Sequence, residues 1–563
     1  MSEKRSGKMP THESVWKEYE KGLGFNTQIN LYDTVETNEN FFIGKQWEGV
    51  QANGLPTPVF NFLKRVTLFS VASITSDNLK MQASPLAATS EQAEAQRAAD
   101  VVNNEFERLF EENKIVNLLR EYMRNAAVDG DGCLYTHWDA DAPNGQKNLK
   151  GKLVTEILQN TQVFFGNPNE RNPQKQPYII LETHEICEDV RDRAKENGCK
   201  DWQGIKVDNA NTRAPIITDD KVTVLTRLWR DKKTKTLWCC ECTKDSMVRE
   251  PFDMGTHLYP INWLNWDYVQ HSYHGQGLIT GLIPNQIFIN KLFAMSMISL
   301  MTTAYPKIVY DKTRVGKWDN RVGAAIGING GDVNSVAKII DPAQISPQIA
   351  QFIELAVNYT QTFLGATPAA LGDTRPDNTS AIIALQRAAS TPSEITKQNL
   401  YQSLEDLGKI YMDFMAEYYG TRDVFVHPPK ELGAEVLQFA GVTDKVPTKF
   451  DFETLKDMHF TLKLDVGASA YWSEIASMQT LDNLLMQGKI DVVDYLERVP
   501  AGYITKKEEL VEKLKGLQGI MSQMQGVVGG GGSSPALPGS MEIPTGRGNG
   551  GLQRALTESA GVA

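Results

Sequence analysis

Three groups of side chains have the types and spacing to do chemistry. His257 precedes His271-Ser272-Tyr273-His274. Imidazoles bind zinc, and a zinc ion with an open position would make a metal-dependent hydrolase. However, an H-x-x-H pair lacks the shared face of H-E-x-x-H, and no glutamate lies between to act as base. Trp263, Trp266 and Tyr268 around it point to aromatic packing. The second group is Cys239-Cys240-Glu241-Cys242. On a strand, neighbouring positions face opposite ways, so Cys239 and Cys240 cannot share one tetrahedral ion. Buried small residues are the better reading. The third is Asp129-Gly130-Asp131-Gly132, part of a calcium loop in appearance. That loop needs glycine at its sixth position and glutamate at its twelfth, where Leu134 and Ala140 stand, so a tight turn into a strand is expected. No G-x-x-x-x-G-K-[ST] and no G-x-S-x-G is present. The expectation is therefore no catalytic residue, no metal and no cofactor. If the chain serves a motor, another protein supplies the energy.

The elements that would position such groups begin with a polar stretch, 1–55, anchored by Trp16, Tyr19, Phe41, Phe42 and Trp47. Val59, Phe62, Leu63, Val66 and Phe69 predict a helix over 59–82. Val101, Phe106, Leu109, Ile115, Leu119 and Met123 predict one long helix from Glu91 to Ala127. Strands are expected at 133–138, 152–158, 162–165, 178–184, 222–230 and 236–242, with a short helix over 186–200. Helices first and then a mostly antiparallel sheet read as α+β, mainly helical with small antiparallel sheets.

The middle of the chain is more unusual. Residues 284–304 read as a helix apolar on nearly all sides, with Pro284 in its first turn and only a narrow polar strip through Gln286 and Asn290. Such a helix must be packed on most sides. A Gly-rich insert, 305–347, follows. Across 307–321, Lys307, Lys312, Arg314, Lys317 and Arg321 face only Asp311 and Asp319, an excess of three positive charges. Ser346-Pro347 caps a second helix, 348–364, whose face carries Phe352, Ile353 and Phe363. Residues 366–379 are a loop. A long helix then runs from Ser380 to Tyr419, on the order of 60 Å, kinked at Pro392. Leu400, Leu404, Leu407, Tyr411, Phe414 and Tyr418 form a heptad-like seam for another helix. Strands return near 423–427 and 459–466, and helices at 472–487, 491–498 and 505–524. Residues 527–563, rich in Gly, Ser and Pro, bury too little apolar surface to fold alone.

This order resembles the portal, or head-to-tail connector, proteins of tailed bacteriophages. Three passages carry the resemblance: Gly275-Gln276-Gly277-Leu278-Ile279 leading to Pro284-Asn285-Gln286 and Asn290; Phe363-Leu364-Gly365-Ala366; and Asn378-Thr379-Ser380-Ala381-Ile382 with Gln386. The Asp129-Gly130-Asp131-Gly132 turn fits as well. Many portals have Ser-Gly where this chain has Thr379-Ser380.

The resemblance implies a portal-type fold assembled as a ring, usually a dodecamer, at one capsid vertex. Double-stranded DNA is packaged through such a channel and later ejected. The implied parts are a wing (1–283), stem helices (284–304 and 348–365), a clip (305–347), a tunnel loop (366–379), a kinked helix and strands returning to the wing (380–469), a crown (470–526) and a tail. In the stem, Phe288, Leu292, Met295, Ile298, Phe352, Ile353 and Phe363 would pack between subunits. In the clip, Lys307, Lys312, Arg314, Lys317 and Arg321 would meet a partner. The tunnel loop would present Thr367, Pro368, Leu371, Asp373, Arg375 and Asp377 to DNA. Implied partners are further copies of the chain, the terminase large subunit, a neck or tail adaptor, and the major capsid or scaffold protein. The implied location is the virion head-tail junction, after assembly in the host cytoplasm. The alternatives are another assembly protein (a minor capsid or adaptor subunit) and the histidine-based hydrolase.

Composition agrees. At 563 residues the chain exceeds one core, and its net charge of −11 argues against tight non-specific DNA binding. Twelve copies at −11 each would carry −132, which suits a wall that must not hold DNA. Six cysteines form no disulfide scaffold. The first residues lack an apolar leader segment, and the longest apolar run, Leu292 to Met301, is about half a membrane span, so no membrane is expected.

Overall fold

The computed structural model describes residues 9–51, 54–77, 79–86, 92–143, 150–208, 220–304, 308–319, 321, 324–339, 348–363, 394–426, 446–466, 481–487, 489–499, 510, 511 and 514. The chain divides into two compact units, Met1–Ala470 and Tyr471–Ala563.

Two helices occupy the segment expected to be merely polar: α1 (His12–Gln28) and α2 (Leu31–Ile43). Thr11 caps α1, its hydroxyl accepting from the Ser14 amide. In α1 only Val15, Tyr19 and Asn26 are buried, so the apolar periodicity is faint. Helix α3 (Phe62–Ile74) stops short of the expected end, and β1 (Leu79–Pro85) takes over. There Met81 and Ala83 alternate into the core, which a helix would not allow. The expected single helix over 91–127 is two, α4 (Gln92–Glu112) and α5 (Ile115–Asp129). Lys114 breaks them with φ +51°, a left-handed conformation that redirects the chain.

The sheet region follows the sequence closely and adds two strands. In order come β2 (Asp131–Pro143), β3 (Lys150–Leu158), β4 (Val163–Phe165), β5 (Tyr178–Ile186), α6 (Cys187–Glu196), β6 (Lys221–Arg230), β7 (Leu237–Cys242), β8 (Met247–Asp253) and β9 (Ile261–Asn265). β4-β5-β6-β7-β8 form a five-stranded antiparallel sheet and β3-β2-β9 a three-stranded one. Period-two alternation divides the larger sheet. Val163, Phe165, Ile179, Leu181 and Cys239 share one core with β2 and β9, while Phe164, Ile180, Cys240 and Cys242 pack with Val15 and Tyr19 of α1. An Arg227–Glu18 pair at 2.7 Å also ties α1 to the sheet.

Then come α7 (Leu278–Ala304), β10 (Ile308–Tyr310), β11 (Ala337–Ile339), α8 (Gln348–Phe363), α9 (Glu394–Tyr418), β12 (Thr421–Val426), β13 (Val446–Asp451) and β14 (Phe460–Val466). Pro284 lies inside α7, not in its first turn, because the helix starts at Leu278. The α9 seam is occupied differently from the expectation. Leu400, Leu404, Leu407, Tyr411 and Phe414 are buried among α3, α4, α5 and strands β1, β2 and β14, within the largest core. The expected start of that helix and the Pro392 kink lie outside the described residues. In the second unit, α10 (Val492–Arg498) is capped by Asp491, and Tyr495 donates to Asp482 at 2.6 Å. Most of the expected 472–487 and 505–524 helices and the 527–563 tail lie outside the described residues.

Candidate subunit interface

The corner that launches α7 is built on Asp131, in the expected tight turn that leads from α5 into β2. Gly130 ends α5 at φ +101°, and a Cβ on it would sit 2.7 Å from the Gly275 carbonyl oxygen. A Cβ on Gly132 would sit 2.8 Å from the Tyr122 carbonyl oxygen. The D-G-D-G pattern thus reflects close backbone approach. The Asp131 carboxylate is fully buried. Its Oδ1 accepts from Asn265 Nδ2 and the Gly275 amide, both at 2.7 Å. Its Oδ2 lies 2.7 Å from His274 Nδ1, and His274 Nε2 lies 3.2 Å from Asn26 Oδ1.

This geometry disposes of His274 as part of a histidine metal triad. Its ring is held between Asp131 and Asn26, inside an aromatic group with Trp263 and Tyr273. His257 is exposed, 3.7 Å from Asp413, and His271 sits on a turn at φ +61°. Among the described residues no group of three or more His, Cys, Asp or Glu side chains is arranged to hold a metal. The six cysteines are free thiols and all buried. Burial pushes the Cys240 thiol up to about 12, so it is protonated and unreactive at neutral pH.

Beside this corner, burial raises the Asp129 carboxyl to about 7, with the Glu39 charge adding and Arg124 opposing. Burial also raises Glu182 to about 7. A carboxyl whose folded value exceeds its unfolded one binds more protons when folded. Its contribution to stability therefore falls as pH rises from the ordinary carboxylate range through 7. Asp129→Asn should leave stability nearly unchanged at pH 4 and raise it by on the order of 2 kcal/mol at pH 8. Urea unfolding at the two pH values measures this; an equal effect at both would show that charge burial is not the cause.

The root of α7 is fixed by a ladder of buried amides. Gln286 Nε2 donates to the Phe60 carbonyl at 2.8 Å and to Asn290 Oδ1 at 2.9 Å; Asn290 Nδ2 donates to Gln46 Oε1 at 2.6 Å. Asn38 Nδ2 bridges the Val128 carbonyl and Thr280 Oγ1, joining α2, α5 and α7. Ile279 and Ile289 pack there with Phe42, Leu63 and Val66. The Gln286–Asn290 part of the polar strip is therefore the anchored side, held by three amide hydrogen bonds, with Gln286 Oε1 left without a partner among the described residues.

Beyond the root, α7 and α8 pack on each other and leave apolar stripes uncovered. Phe288 is 52% exposed, Leu300 66% and Phe352 58%; Met295, Met297, Met301, Leu355 and Tyr359 are also exposed. Of the expected stem-packing set, Leu292 turns into the chain's own core at 8% exposure, because it lies on the anchored side with Ile289. Ile298 and Ile353 are half-buried. The side chain of Phe363 lies outside the described residues. Leu355 and Tyr359 were missed, although they continue Phe352 at i+3 and i+7. By length and composition the segment Leu278–Met301 could cross a membrane, with a mean hydropathy of 1.2. Its root, however, is packed along one side against the protein, with Gln286 and Asn290 buried.

Between the two helices, β10 and β11 pair antiparallel over a small core of Val315 and Val336, with Tyr310 stacked on Trp318 at 5.2 Å. The insert's cations are exposed. Arg314 pairs with Asp311 at 3.5 Å and Arg321 with Asp319 at 2.6 Å. Lys312 and Lys317 have no ion pair among the described residues. Lys307 lies outside them, as do Thr367, Pro368, Leu371, Asp373, Arg375 and Asp377 of the expected tunnel loop.

The site is thus an α+β body that launches two apolar helices around a small basic head. Residues 170–426, just under half of the chain, match the family model of the phage P22-like portal protein, a similarity that supports a phage portal subunit. The match runs from the five-stranded sheet through both helices and the insert to β12. No curated protein matches the chain.

Proposed function

We propose that copies of this chain close into a ring, twelve in number, at one capsid vertex, with DNA packaged and later ejected through the central channel. The observation that carries the reading is the pair of uncovered apolar stripes on α7 and α8. A soluble chain does not leave so much contiguous apolar surface in water unless something covers it. Further copies cover it in a ring. Residues 1–283 and the α9 region form the wing, α7 and α8 the stem, and 305–347 the clip.

The clip's lysines and arginines meet the terminase large subunit during packaging and the neck or tail adaptor afterwards. The wing faces the major capsid or scaffold protein. The loop 366–379 lines the narrowest part of the channel, and the overall negative charge keeps passing DNA from sticking. Assembly takes place in the host cytoplasm. Negative-stain electron microscopy of the purified full-length chain should show rings with a hole wide enough for duplex DNA. A chain that stays monomeric at high concentration would refute the ring.

A further inference from the structure

We infer that the stem contact runs head to tail and is keyed by one ion pair, Lys291 of one copy with Glu354 of the next; this rests on the ring proposed above. The 27 residues of α7 contain a single charged side chain, Lys291, and the 16 residues of α8 a single one, Glu354. Both are exposed. Lys291 lies within the uncovered stripe of α7, at i+3 from Phe288 and four residues before Met295. Glu354 stands on the solvent side of α8, beside the stripe of Phe352, Leu355 and Tyr359. Within one copy neither has an ion pair among the described residues, although the two helices pack on each other.

A charge enclosed by an apolar interface is costly unless an opposite charge meets it. Two copies meeting α7 to α7 or α8 to α8 would set lysine against lysine or glutamate against glutamate. Only the α7 face of one copy on the α8 face of its neighbour sets lysine against glutamate. Made once per pair of copies, that contact is heterologous, the kind that closes a ring; a two-fold dimer would make it twice.

The test is charge reversal in the full-length chain: K291E, E354K and the double variant K291E/E354K, with assembly followed by mass photometry and folding by circular dichroism. Each single variant should keep its fold, because both side chains are exposed. Each should need on the order of a hundredfold more protein for half-assembly, since like charges then oppose each other at every contact. The double variant should assemble near the wild-type concentration. Singles that assemble like wild type, or a double variant no better than the singles, would overturn the ion pair while leaving the ring reading standing. Failure of the wild-type chain to assemble would overturn both.

Discussion

Asp131→Ala should destabilise the first unit by about 3–5 kcal/mol, the usual cost of removing one partner from a buried charged network. The loss is large because four groups bond that carboxylate, Asn160 Nδ2 among them at 3.4 Å. The His274 ring, the Asn265 amide and the Gly275 N–H would all remain buried without it. The Gly132 backbone is pressed against Tyr122 and Gly130 against Gly275, so the chain has little room to rearrange. Asn at the same position should recover part of the loss, because its carbonyl can still accept from Asn265 or Gly275. Urea unfolding followed by circular dichroism measures both variants. A loss under 1 kcal/mol for Asp131→Ala would mean that the corner is held by packing alone. Since this corner leads directly into α7, the variant should also assemble poorly.

Phe288→Asp should have the opposite profile, with a near-normal subunit that assembles poorly. The side chain is half in solvent within one copy, so its replacement costs the isolated subunit only about 0.5–1 kcal/mol, mostly from helix propensity. In an assembled stem the same position would bury a carboxylate against apolar neighbours. Assembly should then require on the order of a hundredfold higher concentration. Phe352→Asp on α8 should behave alike. Light scattering for assembly and thermal unfolding for the subunit separate the two effects. Rings formed at the wild-type concentration by both variants would move the interface elsewhere on the molecule.

Legibility in the sequence followed the strength of local pattern. The strands of the central sheet were visible because Phe164 and Ile180 alternate strictly with Val163, Phe165, Ile179 and Leu181, so each face has its own core. Helix α7, the insert and α8 were visible because an apolar run, a Gly-rich basic stretch and a second run with Phe352 and Ile353 on one face stand in sequence. Helices α1 and α2 were not, since their buried residues are few and interspersed with polar ones. The end of α3 was misjudged because Met81 sits where either period would place it; pairing with β14, nearly four hundred residues away, makes it a strand. The α4–α5 break depends on a left-handed lysine that no helix-breaking residue announces.

Composition and order alone determined that this chain lacks recognisable catalytic spacing and carries two apolar rods around a basic head, because those properties are local to each segment. Tertiary structure decided which side of each rod is spoken for. The buried amides of Gln286 and Asn290 turn Leu292 inward and leave Phe288, Lys291 and Met295 outward. It also decided that Asp131 and His274 serve a corner rather than a metal. Those outcomes depend on residues more than a hundred positions apart, and no local period records such a meeting.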